Sequence, residues 1–117
     1  MLTTRRGFGR GLCAALALAN LPGQLNASDG PREVEVGIAR FNFGPSRIEI
    51  FVGDSVTWIN ADFAPHTATA DDGAWDTGAL ERHARGRITF NAPGTYHYFC
   101  VFHPHMKGTV VVRPISG

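Results

Sequence analysis

Between Glu33 and Arg113, apolar residues recur at every second position in short runs, the period of half-buried strands and not of helices. Glu33 to Ala39 alternates Val34, Val36 and Ile38 with polar or small residues, and Arg47 to Val52 sets Ile48 and Ile50 against Arg47 and Glu49. Gly53-Asp54 reads as a turn, and Ser55 to Asn60 follows with Val56 and Trp58 on one face, so the pattern predicts a hairpin. His66 to Ala70 is expected to be extended again until Asp71-Asp72-Gly73 breaks it. Ala74 to Arg85 has no apolar stripe and contains Gly78, which predicts loop. Gly86 to Asn91 places Ile88 and Phe90 on one face, and Pro93-Gly94 marks a turn. In Thr95 to Cys100 the period of two puts Tyr96, Tyr98 and Cys100 on one face and Thr95, His97 and Phe99 on the other. Gly108 to Arg113, with three consecutive valines at 110 to 112, predicts a strand buried on both faces. Seven or eight short strands at this spacing give an all-β fold, a Greek-key β-sandwich or barrel.

The first 27 residues stand outside that pattern. Arg5-Arg6 precedes an apolar run from Gly11 to Leu21, and Ala27 comes just before polar Ser28-Asp29-Gly30. This is the make-up of a signal peptide, and the arginine pair fits the twin-arginine export route. Residues 1–27 are therefore expected to be a signal and 28–117 the mature domain, in the periplasm and with no membrane segment of its own. Loss of Arg5, Arg6 and Arg10 leaves eight basic residues against ten acidic, a formal charge of −2 in place of the +1 of the whole chain. Neither value, with no Lys/Arg cluster, suggests nucleic acid or an anionic membrane as partner. Cys13 would leave with the signal, so Cys100 would be the one thiol of an exported domain, with no internal disulfide partner.

Chemistry concentrates in Cys100-Val101-Phe102-His103-Pro104-His105-Met106. A buried thiol or thioether taken alone is ordinary core. Here a thiol, two imidazoles and a thioether fall within one tight loop, a soft donor set that favours copper over magnesium, calcium or manganese. A trigonal His₂Cys site with a weak axial Met is the arrangement of a copper electron-transfer centre, and it needs one further His from elsewhere. His66, held behind the stiff Pro65, is the candidate.

The series Phe41-x-Phe43-x-Pro45, Ile48-x-Ile50, Gly53-Asp54-x-Val56-x-Trp58-x-Asn60, Pro65-His66-Thr67, Pro93-Gly94-x-Tyr96-x-Tyr98-x-Cys100-x-x-His103-Pro104-x-Met106-x-Gly108 resembles the small blue-copper proteins, the cupredoxins. Within them it is most similar to the amicyanins, whose ligand loop has the same Cys-x-x-His-x-x-Met count. The resemblance implies one type 1 copper ion, with His66, Cys100 and His103 as strong ligands and Met106 as the axial one. Behind the ligands it implies that the Thr67 N–H donates to the Cys100 sulfur and that Asn60 ties the two ligand loops together. It also implies an electron gateway at His103, in a turn with Pro104, surrounded by Pro65 and Phe102. His105 stands there where the family carries Phe, and Val101-Phe102 replaces the usual Thr-Pro.

The implied function is one-electron transfer between transient redox partners, such as a periplasmic dehydrogenase and a c-type cytochrome, by a monomer that is not itself an enzyme. A periplasmic copper chaperone or store without electron transfer is the alternative. A multicopper oxidase would need more His ligands, a zinc site would not use Met106, and a cysteine nucleophile lacks an acid–base pair. His83 and His97 are expected to lie away from the metal.

Overall fold

A computed structural model describes residues 30–115; the expected signal segment and Cys13 lie outside them. Eight strands run in chain order: β1 Glu33–Ala39, β2 Asn42–Gly44, β3 Arg47–Phe51, β4 Ser55–Asn60, β5 Thr69–Ala70, β6 Arg85–Thr89, β7 Gly94–Cys100 and β8 His103–Arg113. They form two four-stranded sheets, in the orders β2-β1-β4-β6 and β3-β8-β7-β5. The inward residues of both sheets meet in one core, with Val36, Ile38, Val56 and Trp58 from the first against Ile48, Ile50, Tyr98, Val110 and Val112 from the second. Outside β4, where Ser55 and Thr57 are buried as well as Val56 and Trp58, the strands bury mainly their inward face, which is why the period-two pattern was legible.

Two readings of that pattern are corrected by the pairing. The expected hairpin at Gly53-Asp54 does not form: β3 pairs parallel with β8, whereas β4 pairs parallel with β1 and antiparallel with β6. The turn carries the chain from one sheet to the other, with Val52 N–H donating to Arg113 and Gly53 N–H, at φ 96°, to Phe90. The last strand is also buried on one face only. It is central in its sheet, between β3 and β7, but Val111 is half-buried while Val110 and Val112 are buried. Hydrogen-bond partners on both edges make a strand internal; they do not cover both faces.

Asp54 fixes the crossing. Its carboxylate, 2% exposed, accepts the N–H of Arg32 at 2.8 Å and of Phe51 at 2.9 Å. Asp54→Ala would leave both donors unpaired in a partly buried place, so we expect it to destabilise the domain by about 2–3 kcal/mol in a denaturant titration. A loss under about 0.5 kcal/mol would mean that water replaces the carboxylate.

Between the sheets, Tyr98 packs against Phe43, Trp58 and Trp75 at centroid distances of 4.7, 5.2 and 5.8 Å, and Trp58 stacks on Trp75 at 5.5 Å. Burial pushes the Tyr98 hydroxyl up to about 12, and the nearby Trp58 N–H draws it back only slightly. Neither that hydroxyl nor the indole N–H of Trp58 or Trp75 has a hydrogen-bond partner of good geometry. The unfolded chain would release this proton at the ordinary 10.0 and the folded one near 12. Between those values the unfolded state binds fewer protons, so stability is full below the lower value and falls as pH rises through the window. Phenolate absorbance from Tyr98 should therefore grow together with unfolding on approach to pH 12; ionisation at the ordinary value without unfolding would show the ring to be solvated.

Candidate metal centre

Cys100 ends β7 on the same inner face as Tyr98, and its side chain is fully buried. The turn that follows has only two residues, Val101 and Phe102, because Cys100 pairs directly with His103 at the start of β8. The ladder shifts there: Phe99 pairs with Lys107, but the next residue pairs with His103. Pro104, His105 and Met106 are therefore extra on the β8 side, a bulge that bends the strand back toward the thiol. Met106 turns inward and is 2% exposed. The Cys-x-x-His-x-x-Met spacing is thus a tight turn followed by a bulge. His103 opens a strand and does not sit in the turn with Pro104 that the sequence suggested.

His66 comes from a separate part of the chain, the stretch between β4 and β5. Its ring is fully buried, and its main chain is bridged to Leu80 by two hydrogen bonds, N–H to Leu80 O at 3.2 Å and Leu80 N–H to His66 O at 2.7 Å. His66 Nδ1 lies 3.6 Å from Cys100 Sγ, and His103 Nδ1 lies 3.8 Å from the same sulfur. All three donor atoms are within 4.8 Å of one another.

The residues behind these donors divide the work differently from the expectation. Asn60 does not bridge the two ligand loops. Its Nδ2 donates to Ala64 O at 2.9 Å and Leu80 O at 2.8 Å, and its Oδ1 accepts from Asp62 N–H at 2.8 Å. It therefore braces the His66 loop against Leu80. The link to the other loop is Thr67. Its N–H donates to Cys100 Sγ at 3.4 Å, as expected, and its Oγ1 accepts from Val101 N–H at 3.0 Å. Thr67 can do this because it follows His66 and is buried beside the thiol, whereas the Asn60 amide is taken up by Ala64, Leu80 and Asp62.

Two contributors were not anticipated. Asp62 Oδ2 lies 2.9 Å from His66 Nε2 and so fixes the ring whose other nitrogen faces the thiol. Burial raises the Asp62 carboxyl, but the N–H groups of Phe41 and Arg40, together with His66, outweigh it and hold the group below the usual range. Its position four residues before His66 was the available signal. Phe41 lies edge-on to both imidazoles, with centroids 5.1 Å from His66 and 4.7 Å from His103. Nothing in the one-dimensional pattern placed it there.

His97 is exposed, with Nδ1 3.2 Å from Thr109 Oγ1, and His83 is exposed at a left-handed φ of 72°; neither approaches the cluster. Around His103, Phe102 is 50% and Val101 45% exposed, Pro104 and His105 are exposed, and Pro65 is half-buried.

The sequence matches the model of the cupredoxin-like domain over residues 12–112. The chain belongs to the cupredoxin family. Amicyanin-alpha of Methylorubrum extorquens is 37% identical, over 86% of this chain and 87% of that protein. Plastocyanin of Scenedesmus fuscus is 35% identical, over 61% and 86%. Among solved structures, an oxidised methionine-to-leucine variant of amicyanin superposes with a TM-score of 0.65 at 32% identity, over 68% of this chain and 81% of that one.

The donor set of this cupredoxin, a buried thiol and two imidazoles within 4.8 Å of one another and a buried thioether at Met106, has the chemistry that suits copper. Bonds of the length zinc makes, about 2.3 Å to a thiolate and about 2.0–2.1 Å to an imidazole, opened by roughly 110–120°, separate sulfur from nitrogen by about 3.5–3.8 Å, a spacing that a first-row metal ion can bridge. The two distances to Cys100 Sγ fall in or at the edge of that range. They are long for hydrogen bonds between a thiol and an imidazole.

Proposed function

We propose that this cupredoxin is an exported one-electron carrier that would hold copper through His66 Nδ1, Cys100 Sγ and His103 Nδ1, with the Met106 thioether as a fourth, weaker ligand. The observation that supports this most directly is the convergence of a buried thiol and two imidazoles on one point, with the Thr67 N–H donating to the sulfur. Bound copper supplies a Cu(II)/Cu(I) couple. The chain supplies fixed positions for it. His66 is held at its backbone by Leu80 and at Nε2 by Asp62. Cys100 is held by its strand, and Thr67 joins the two loops. Donors held in this way need move little between oxidation states, and small movement keeps the barrier to electron exchange low.

His103 is half-buried and is the ligand nearest solvent, so it serves as the gateway. Val101, Phe102 and Pro104 beside it form an apolar surface suited to small, brief encounters with redox proteins, such as a dehydrogenase and a c-type cytochrome. His105 adds a polar ring to that surface, and its centroid is 6.4 Å from that of His103. The domain acts as a monomer in the periplasm, after removal of residues 1–27. A chaperone or store would present exchangeable ligands, whereas the thiol here has no exposed surface.

Voltammetry of the copper-loaded mature domain tests the reading. A reversible one-electron wave whose peak separation stays small at fast scan rates is expected. A sluggish or irreversible wave, with ready copper transfer to a competing chelator, would put the chaperone reading first.

A further inference from the structure

The turn joining β1 to β2 consists of Arg40 and Phe41, both left-handed at φ 55° and 59°, between the paired residues Ala39 and Asn42. Two-residue hairpin turns of this hand normally use Asn and Gly, because a β-carbon there is strained. Asp62, more than twenty residues away, holds the conformation in place: its carboxylate accepts Arg40 N–H at 2.8 Å and Phe41 N–H at 2.9 Å. The same carboxylate faces His66 Nε2.

The result of the strained turn is the position of one ring. Phe41 meets His66 and His103 at interplanar angles of 87° and 89°, while the two imidazoles are themselves 5.0 Å apart. Edge-to-face contacts of this kind are favourable and directional. His103 needs such support more than His66 does. Asp62 anchors the far nitrogen of His66, but no hydrogen bond from the described residues reaches the far nitrogen of His103. The ring is also half-buried beside the exposed turn Val101-Phe102.

We propose that Phe41 is a positioning residue for the ligand pair, its ring held by the Asp62-clamped turn so that His103 keeps its ligating orientation even without metal. The inference rests on the copper reading for its purpose, but the placement of the rings does not depend on metal. The 41% exposure of Phe41 makes a merely structural role small: little core is lost when the ring is removed.

The test compares wild type with Phe41→Ala, Phe41→Tyr and Asp62→Ala. In the copper-free protein, ¹³C relaxation of the His103 ring should show lost order in Phe41→Ala and in Asp62→Ala, and wild-type order in Phe41→Tyr, with the distant His97 ring unchanged in all. In the Cu(II)-loaded protein, release of copper to a chelator should quicken by about tenfold in Phe41→Ala, the size of effect expected from losing two aromatic contacts. Wild-type ring order in Phe41→Ala, or failure of tyrosine to restore it, would overturn the proposal. Should Phe41→Ala not fold, Asp62→Ala carries the same prediction, and a fully ordered His103 ring there would overturn it. A wild-type protein that binds no copper would refute the function proposed above and leave the ring-order measurement standing by itself.

Discussion

Cys100→Ser should remove the intense visible colour expected of residues 28–117 on adding Cu(II), lowering the absorption by more than about tenfold, because the band requires a copper–thiolate bond. The substitution changes little else. Serine is close in size, and its hydroxyl can still accept the Thr67 N–H that now reaches Cys100 Sγ at 3.4 Å. Stability of the copper-free domain should therefore change by only about 1 kcal/mol. His66, His103 and Met106 would remain to hold the metal more weakly, so chelators should strip it faster. Persistence of the blue band in the serine variant would show that the thiol is not a ligand. A colourless wild type would mean that the ligand set does not assemble as read, and would favour storage or delivery over electron transfer.

Gly108→Ala should destabilise the domain by about 3 kcal/mol or more, the upper end of what overpacking costs. Gly108 on β8 pairs with Tyr98 on β7, and the tyrosine ring lies across the glycine. A β-carbon at this position would come 2.7 Å from Tyr98 Cε1 and closer still to Cζ and Oη. The ring has nowhere to go, being 1% exposed and enclosed by Phe43, Trp58 and Trp75. A fall in Tm of more than about 10 °C is expected from calorimetry. Tyr98→Phe should not rescue it, since Cζ and Cε1 remain, whereas Tyr98→Leu in the same background should recover part of the loss. Because Tyr98 is two residues from Cys100 on one face, the alanine variant should also shift the visible spectrum of any copper-loaded fraction. A wild-type Tm for Gly108→Ala would show that the two strands separate easily at this pair, and that the thiol is held less firmly than the buried pairing implies.

Two glycines illustrate how far sequence alone could reach. Gly53 was readable as a turn, because Gly-Asp between two alternating runs has a local cause. Gly108 was readable only as a place in a motif, because its cause is a ring ten residues earlier on a neighbouring strand. The same division runs through the site. Cys100, His103 and Met106 share one loop, so their spacing alone announced a soft-metal centre, and the resemblance to cupredoxins supplied His66. The roles behind the ligands were less legible. Thr67 was correctly expected at the sulfur, but the link between loops expected of Asn60 belongs to Thr67 as well, since side-chain direction in an irregular segment is set by what the backbone is pinned to, here Leu80.

What the sequence determined by itself is whatever depends on neighbours in the chain: the strands, from their period of two; the inward face of Tyr98 and Cys100; and the donor chemistry of residues 100–106. What only the tertiary structure decided is whatever depends on partners distant in the chain. The parallel pairing of β3 with β8 and of β1 with β4 replaced an expected hairpin, because hydrophobic alternation says which face is buried and not which strand lies beside it. The Asp62 carboxylate reaches the Arg40–Phe41 turn, and Phe41 lies against both His66 and His103, across separations for which the chain carries no local pattern. Contacts of that kind arise when two sheets close over one core.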